Sequence, residues 1–266
     1  MIKKPRLGQV FLNDKNIVQK IVKSAQITPE DTVVEIGCGQ GVLSQALAPL
    51  CKKLIIIELD QQYLDYTRTL LSEYDNITYI KGDILKVGFK DIDEKQFKVV
   101  ANIPYYITSK IIKLMIEKGR DLQPSLLMVQ KEFAEKLLAQ PGAKTYTSFT
   151  LYTRFYMEIK KMFHVKQSCF KPIPDVDSTV IQLTSRNTPL YDVDAELFFP
   201  MIRSAFWGRR KPLLNALLKS PYLQLDPRIR ECEFFKKHSS IRGETLGIED
   251  FYCLYLEIVK KHFVQK

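Results

Sequence analysis

Thr32-Val33-Val34-Glu35-Ile36-Gly37-Cys38-Gly39-Gln40-Gly41 is the stretch that decides the fold. Five residues rich in β-branched side chains read as a buried strand. Three glycines in G-x-G-x-G spacing then form a tight turn, and Val42 to Leu50 carries the pattern of a following helix. Glycine permits positive φ and lets backbone approach a ligand closely. A pyrophosphate-binding turn reads G-x-G-x-x-G and seats its anion on a helix N-terminus. Here the spacing differs, and Glu35 stands just before the turn. An acid there repels a pyrophosphate and suits the ammonium of an amino-acid moiety. The turn therefore points to S-adenosylmethionine rather than to a nicotinamide dinucleotide.

Outward from this stretch, strands and helices alternate. Residues 16–26 have helical spacing, Leu54–Glu58 reads as a second strand, and 61–72 as a helix. Ile77–Ile80 and Lys98–Ala101 follow as strands, Ile111–Ile116 starts a helix, and Ser125–Gln130 is a fifth strand. This order implies an α/β fold with a parallel sheet covered on both faces. Ligands of such sheets bind at the carboxyl ends of the strands. Glu35, Glu58, Asp83 and Asn102 all fall at or near those ends. Glu58 suits the two ribose hydroxyls of a nucleoside. Asp83 suits the amino group of its adenine, with the Ile84 N–H donating to the ring.

Asn102-Ile103-Pro104-Tyr105 supplies the chemistry. The N6 lone pair of adenine is delocalised into the ring and is a poor nucleophile. Accepting both N–H hydrogens, on the Asn102 side-chain oxygen and the Ile103 carbonyl, favours a pyramidal nitrogen aimed at a methyl group. Pro104 stiffens the turn. Tyr105 offers a face for the target base, and Phe170, in a proline-rich loop, is a candidate for the opposite face.

Beyond residue 155, Met157–Val165 and Thr179–Thr184 read as an antiparallel hairpin closing the sheet edge. Helical periods at 195–219 and 248–262 then give a small second domain, so the expected division is 1–186 and 187–266. The 266 residues carry a net charge of +10, which favours a polyanionic partner. Lys4 and Arg6 (beside Lys3), with Arg209, Arg210 and Lys211, are the candidate phosphate contacts. Five scattered cysteines without a C-x-x-C pair and three unpaired histidines argue against disulfides and against a metal site. No apolar run reaches membrane-spanning length, and the basic start lacks an apolar core, so a cytoplasmic protein is expected.

Several motifs together resemble one family. They are Arg6-Leu7-Gly8-Gln9-Val10-Phe11-Leu12, Asn102 to Tyr105, Gln130-Lys131-Glu132, Phe170 to Ser178 and Ala205 to Asn215. Across essentially the whole chain they are similar to the KsgA (RsmA) small-subunit rRNA adenine N6,N6-dimethyltransferases. The resemblance implies a Rossmann-like class I methyltransferase domain followed by a helical rRNA-binding domain, acting as a monomer. It implies dimethylation of two adjacent adenines in a hairpin near the 3′ end of 16S rRNA, during small-subunit biogenesis. It also implies that Leu12, Gly37, Glu58, Asp83 and Asn102 line the cofactor site, to which the turn reading adds Gly39 and the N-terminal motif Val10. The family usually has Asn where this chain has Val10, so that contact falls to the backbone or weakens. Two alternatives share these features: a large-subunit rRNA adenine methyltransferase of the macrolide-resistance type, and a non-catalytic ribosome-assembly factor.

Overall fold

The computed structural model describes residues 10–89, 92 and 96–263. Nine strands occur among them: β1 Phe11–Leu12, β2 Thr32–Ile36, β3 Lys53–Glu58, β4 Ile77–Lys81, β5 Lys98–Asn102, β6 Ser125–Gln130, β7 Met157–Val165, β8 Phe170–Lys171 and β9 Ser178–Ser185. The helices of the first part are α1 Lys15–Ala25, α2 Val42–Leu47, α3 Gln61–Leu70, α4 Ile84–Val87 and α5 Thr108–Lys118. After β6 come α6 Lys131–Leu138 and α7 Ser148–Tyr156, and after β9 come α8 Ala195–Trp207, α9 Leu213–Leu218, α10 Glu233–Lys237 and α11 Ile248–Lys260.

Seven strands form one sheet in the order β4-β3-β2-β5-β6-β9-β7. The first five are parallel, and β9 runs antiparallel to both β6 and β7. This is the α/β architecture that the strand–helix alternation implies, with the hairpin at the expected edge. Helices α1 and α3 start where an aspartate side chain satisfies orphan N–H groups. Asp14 accepts from Asn16 and Ile17, and Asp60 accepts from Gln62.

Alternate strand residues feed the two faces. Val33, Leu54, Ile56, Val100, Leu126, Met128 and Val180 pack with α1 (Val18, Ile21), α2 (Leu43, Leu47) and α3 (Leu64). Val34, Ile55, Ile57, Val99, Leu127 and Val129 are buried on the alternate positions. Burying both faces explains why these strands are near-continuous apolar runs.

Two features were not legible in the sequence. β1 and β8 pair as a separate two-stranded ribbon, setting Leu12 opposite Phe170 and Phe11 opposite Lys171. Two-residue strands are too short to show an alternation. The chain also divides into two compact units differently from a cut at 186/187. One unit holds the described residues to Ala134 with Met157–Asn187; the other holds Glu135–Tyr156 with those from Thr188 on. Residues 135–156 join the second unit because Tyr146, Leu151 and Phe155 are part of its apolar core, with Phe198, Met201 and Phe251.

The helical period read over 195–219 is two helices, separated at Gly208 to Pro212. A Cβ on Gly208 would lie 2.5 Å from that of Ala216, so close packing of α8 against α9 requires glycine there. No described helix is long and apolar enough to cross a membrane.

Candidate active site

The parallel registers bring four strand ends together. Ile36 lies beside Ile57, Glu58 beside Lys81, and Val34 beside Val99. Two hydrogen bonds extend these ladders past the strands: Gly37 N–H to Ile57 O at 2.9 Å, and Gly82 N–H to Glu58 O at 3.0 Å. The glycine turn, Glu58 and Asp83 are thereby fixed side by side, at the edge where β5 delivers Asn102.

Gly37, Gly39 and Gly41 adopt φ of 77°, 50° and 72°, which other residues enter at a cost. The surroundings of Gly39 and Gly41 are also restrictive. A Cβ on Gly39 would lie 2.8 Å from the Phe11 ring, which in turn packs on Tyr63 at 5.2 Å between centroids. The N-terminal segment carrying Val10 and Leu12 is thus seated on the glycine turn. A Cβ on Gly37 would point at Pro104, 3.9 Å from its Cδ. The Asn102 segment therefore lies next to the glycine turn, within van der Waals reach of the Gly37 position. A cradle of this kind, walled by Glu58 and Asp83, fits the nucleoside and amino-acid portions of S-adenosylmethionine.

Glu58 is 7% exposed and has a second task. Its Oε2 accepts from the Gly39 N–H at 3.2 Å and its Oε1 from the Asp60 N–H at 2.9 Å. The Cys38 thiol donates toward Oε2 at 3.7 Å and accepts from Thr67. The carboxylate therefore braces the turn it was expected only to neighbour. With about four acceptor positions on a carboxylate, capacity remains for hydroxyls. Burial pushes the Cys38 thiol well up, so it is a neutral donor rather than a thiolate.

Glu35 differs from its reading as the acid that holds an ammonium. It is 1% exposed, and its Oε2 accepts from Ser44 Oγ of α2 at 2.5 Å. Burial pushes the carboxyl up to about 8, against the lowering effect of the Ser44 bond and with a further raise from nearby Glu58. At neutral pH it is a protonated tie between β2 and α2. The reason is local geometry: the fourth residue of a strand buried on both faces turns its side chain into the packed layer.

Asp83 caps α4, with Oδ1 accepting from the Leu85 N–H at 2.9 Å. Its Oδ2 is outside that bond. The preceding Gly82 has no room for a side chain, since a Cβ would fall 2.4 Å from Val87 Cγ2. Ile84, whose N–H opens the helix, buries its own side chain.

Asn102 ends β5, half-buried, paired with Met128 of β6. Ile103 is 1% exposed and anchors the turn from below. Among the described residues, the turn's hydrogen bonds end on the next two carbonyls: Ile107 N–H donates to Pro104 O at 3.2 Å, and Thr108 Oγ1 to Tyr105 O at 3.0 Å. Tyr105 and Ser178 share a 2.6 Å hydrogen bond between hydroxyls, tying the turn to β9. Burial raises the Tyr105 phenol above its ordinary range, so it stays protonated. Ser178 and Phe11 touch candidate site residues and were not singled out by sequence reasoning; both lie within motifs already noted, but only the fold shows what they touch.

Phe170 is displaced from its expected task. Its side chain is 0% exposed and packs in the core cluster that contains Leu12. Pairing of β8 with β1 turns it inward, and no face of the ring is open to a base. Lys4 and Arg6 lie outside the described residues. Arg209 is also not an available phosphate contact. Its guanidinium pairs with Glu244 and donates to the carbonyls of Lys144 at 2.8 Å and Ala143 at 2.9 Å. Arg210 and Lys211 are exposed, Lys211 with its ammonium 4.9 Å from the centre of the Trp207 ring.

Comparison with known proteins places this site in context. The family model of ribosomal RNA adenine dimethylases matches residues 2–229. Ribosomal RNA small subunit methyltransferase A of Clostridium acetobutylicum is 41% identical over 258 residues, covering 96% of this chain and 93% of that protein. The protein of the same name from Bacillus pumilus is 39% identical over 261 residues, 93% of this chain and 88% of its own. Among solved structures, a dimethyladenosine transferase from Plasmodium falciparum superposes with a TM-score of 0.80 at 29% identity, over 95% of this chain and 98% of that one. The 23S rRNA methyltransferase ErmE gives 0.72 at 26% identity, over 94% and 99%. With a class I methyltransferase sheet, a glycine cradle beside Glu58 and an Asn-Ile-Pro-Tyr turn facing it, the chain belongs to the ribosomal RNA adenine dimethylase family and is an S-adenosylmethionine-dependent rRNA adenine dimethyltransferase.

Proposed function

We propose that this protein dimethylates N6 of two adjacent adenines in the 3′-terminal hairpin of small-subunit rRNA, as a monomeric cytoplasmic factor in small-subunit biogenesis. The carrying observation is the Asn102 turn at the strand-end edge, with Pro104 Cδ 3.9 Å from where a Gly37 Cβ would stand. S-adenosylmethionine, when bound, supplies an electrophilic methyl group. Gly37, Gly39, Glu58, Asp83, the Ile84 N–H and the backbone at Val10 and Leu12 hold it. Asn102 Oδ1 and the Ile103 carbonyl accept the two N6 hydrogens and aim the nitrogen lone pair at the methyl group. Tyr105, fixed by Ser178, presents a ring of set orientation to the extruded base. Such positioning needs no covalent intermediate. Arg210 and Lys211 in the second unit contact rRNA phosphates.

The two small-subunit relatives, at 41% and 39% identity, support the choice of rRNA. The likeness to ErmE supports a second reading, a large-subunit adenine. Tritiated methyl transfer to unmethylated small subunits and to large-subunit RNA, followed by nucleoside analysis, separates them. Dimethyladenosine at two adjacent small-subunit positions is expected. Transfer to large-subunit RNA alone would replace the reading with the second. Tight subunit binding without transfer would leave an assembly factor.

A further inference from the structure

Tyr106 stands next to the Asn102 turn and is 81% exposed, the highest value among the exposed large hydrophobic side chains described, ahead of Ile173 at 65%. It has no ring or hydrogen-bond partner among the described residues. Its backbone is nevertheless held: it sits in the short 3-10 turn Tyr105–Ile107, closed by Ile107 N–H on Pro104 O and by buried Thr108 on Tyr105 O. The flanking residues are anchored as well, Tyr105 through Ser178 and Ile107 by burial. A fully hydrated aromatic ring on a fixed backbone is a poor investment for folding. It is well suited to receive a planar group from solvent, because little backbone entropy is lost on contact.

The turn runs directly into α5, where Lys110 and Lys113 are exposed. They follow Tyr106 by four and seven residues, so they extend one helical stripe away from the site. An exposed ring beside the Asn102 turn, followed on α5 by exposed lysine side chains, suits a nucleic-acid strand rather than an apolar partner.

We propose that Tyr106 stacks on the nucleotide flanking the target adenine, and that the rRNA strand leaves the pocket along the Lys110–Lys113 face of α5. This rests on the small-subunit reading above, and it identifies the support for the base that must stay behind when its neighbour enters the pocket. Two adjacent targets make that neighbour an adenine, the purine whose stacking on an aromatic ring is favourable. Extruding one base costs its stacking on the other; the Tyr106 ring replaces that contact.

The test compares Tyr106→Ala, Tyr106→Leu and Tyr106→Phe with the unaltered protein in steady-state methyl transfer to unmethylated small subunits. Ala and Leu are expected to lose about tenfold in kcat/KM for the RNA, the scale of one base–aromatic stack. Phe is expected to stay within about twofold of the unaltered protein on the same scale. The KM for S-adenosylmethionine and the melting temperature are expected to be unchanged in all three. An Ala variant equal to the unaltered protein would overturn the stacking role. So would Leu restoring activity as well as Phe, since that marks apolar cover rather than stacking. The outcome for the function reading is separate: it is judged on which rRNA the unaltered protein methylates. If that proves to be large-subunit RNA, the same variant ratios on that substrate still decide the role of Tyr106.

Discussion

Replacing Glu35 by Gln removes a proton-binding group from the packed layer beneath the glycine turn. The native carboxyl titrates near 8 against 4.5 for an ordinary glutamate, chiefly because burial disfavours its charge. The folded state therefore binds the proton more tightly than the unfolded chain. Its stabilising contribution is complete below about 4.5 and is lost as pH rises through about 8. Each pH unit in that window removes about 1.4 kcal/mol. Allowing for the partial titration at both ends, the loss between pH 5 and pH 8 is roughly 3–4 kcal/mol. Gln has the same shape, bonds Ser44 and does not titrate. The stability difference between native protein and Glu35→Gln should thus move by roughly 3–4 kcal/mol in favour of the variant over that range. Urea unfolding of both proteins at pH 5, 6, 7 and 8 measures it. Parallel stability curves would refute the assignment of Glu35 as a buried neutral acid and return it to the role of an open carboxylate.

Further outcomes are expected at the site and at the arginine pair. Asn102→Ala should lower kcat for methyl transfer by about 10²–10³-fold, with S-adenosylmethionine binding by calorimetry little changed; unchanged kcat would remove the N6 clamp. Gly39→Ala, which sets a Cβ 2.8 Å from Phe11 in a backbone of φ 50°, should weaken cofactor binding by about tenfold through a strain of about 1–2 kcal/mol. Arg209→Ala should cost about 2 kcal/mol in chemical denaturation, because it strands Glu244 and two carbonyls. Arg210→Ala should instead leave stability within about 0.5 kcal/mol and flatten the salt dependence of subunit binding; equal stability losses in the two variants would contradict the division of labour. Tyr105→Phe should lose about 1 kcal/mol, the worth of the Ser178 bond, while keeping most of its turnover.

Local pattern carried much of this protein. The strands β2 to β6 were legible because a parallel sheet buried on both faces needs short runs of Val, Ile and Leu, and such runs are visible without a structure. The glycine turn was legible because positive φ leaves a compositional trace. Glu58, Asp83 and Asn102 followed from a topological rule that needs only the strand ends. What the sequence could not give was the direction of individual side chains. Phe170 and Arg209 belong to motifs that look functional, yet β1–β8 pairing turns one into the core, and Glu244 with two carbonyls consumes the other. Glu35 shows the same limit in electrostatic form: its identity is local, but its proton affinity is set by Ser44, Glu58 and the absence of water around it. Residues 135–156 joined the second unit through contacts with remote chain, Phe155 with Phe198 and Phe199 and Tyr146 with Phe206. The sequence by itself determined the order of elements and the edge of the sheet where chemistry occurs, because both depend on short-range periodicity. Only the tertiary structure decided which polar and aromatic groups remain available there, because availability depends on partners remote in the chain.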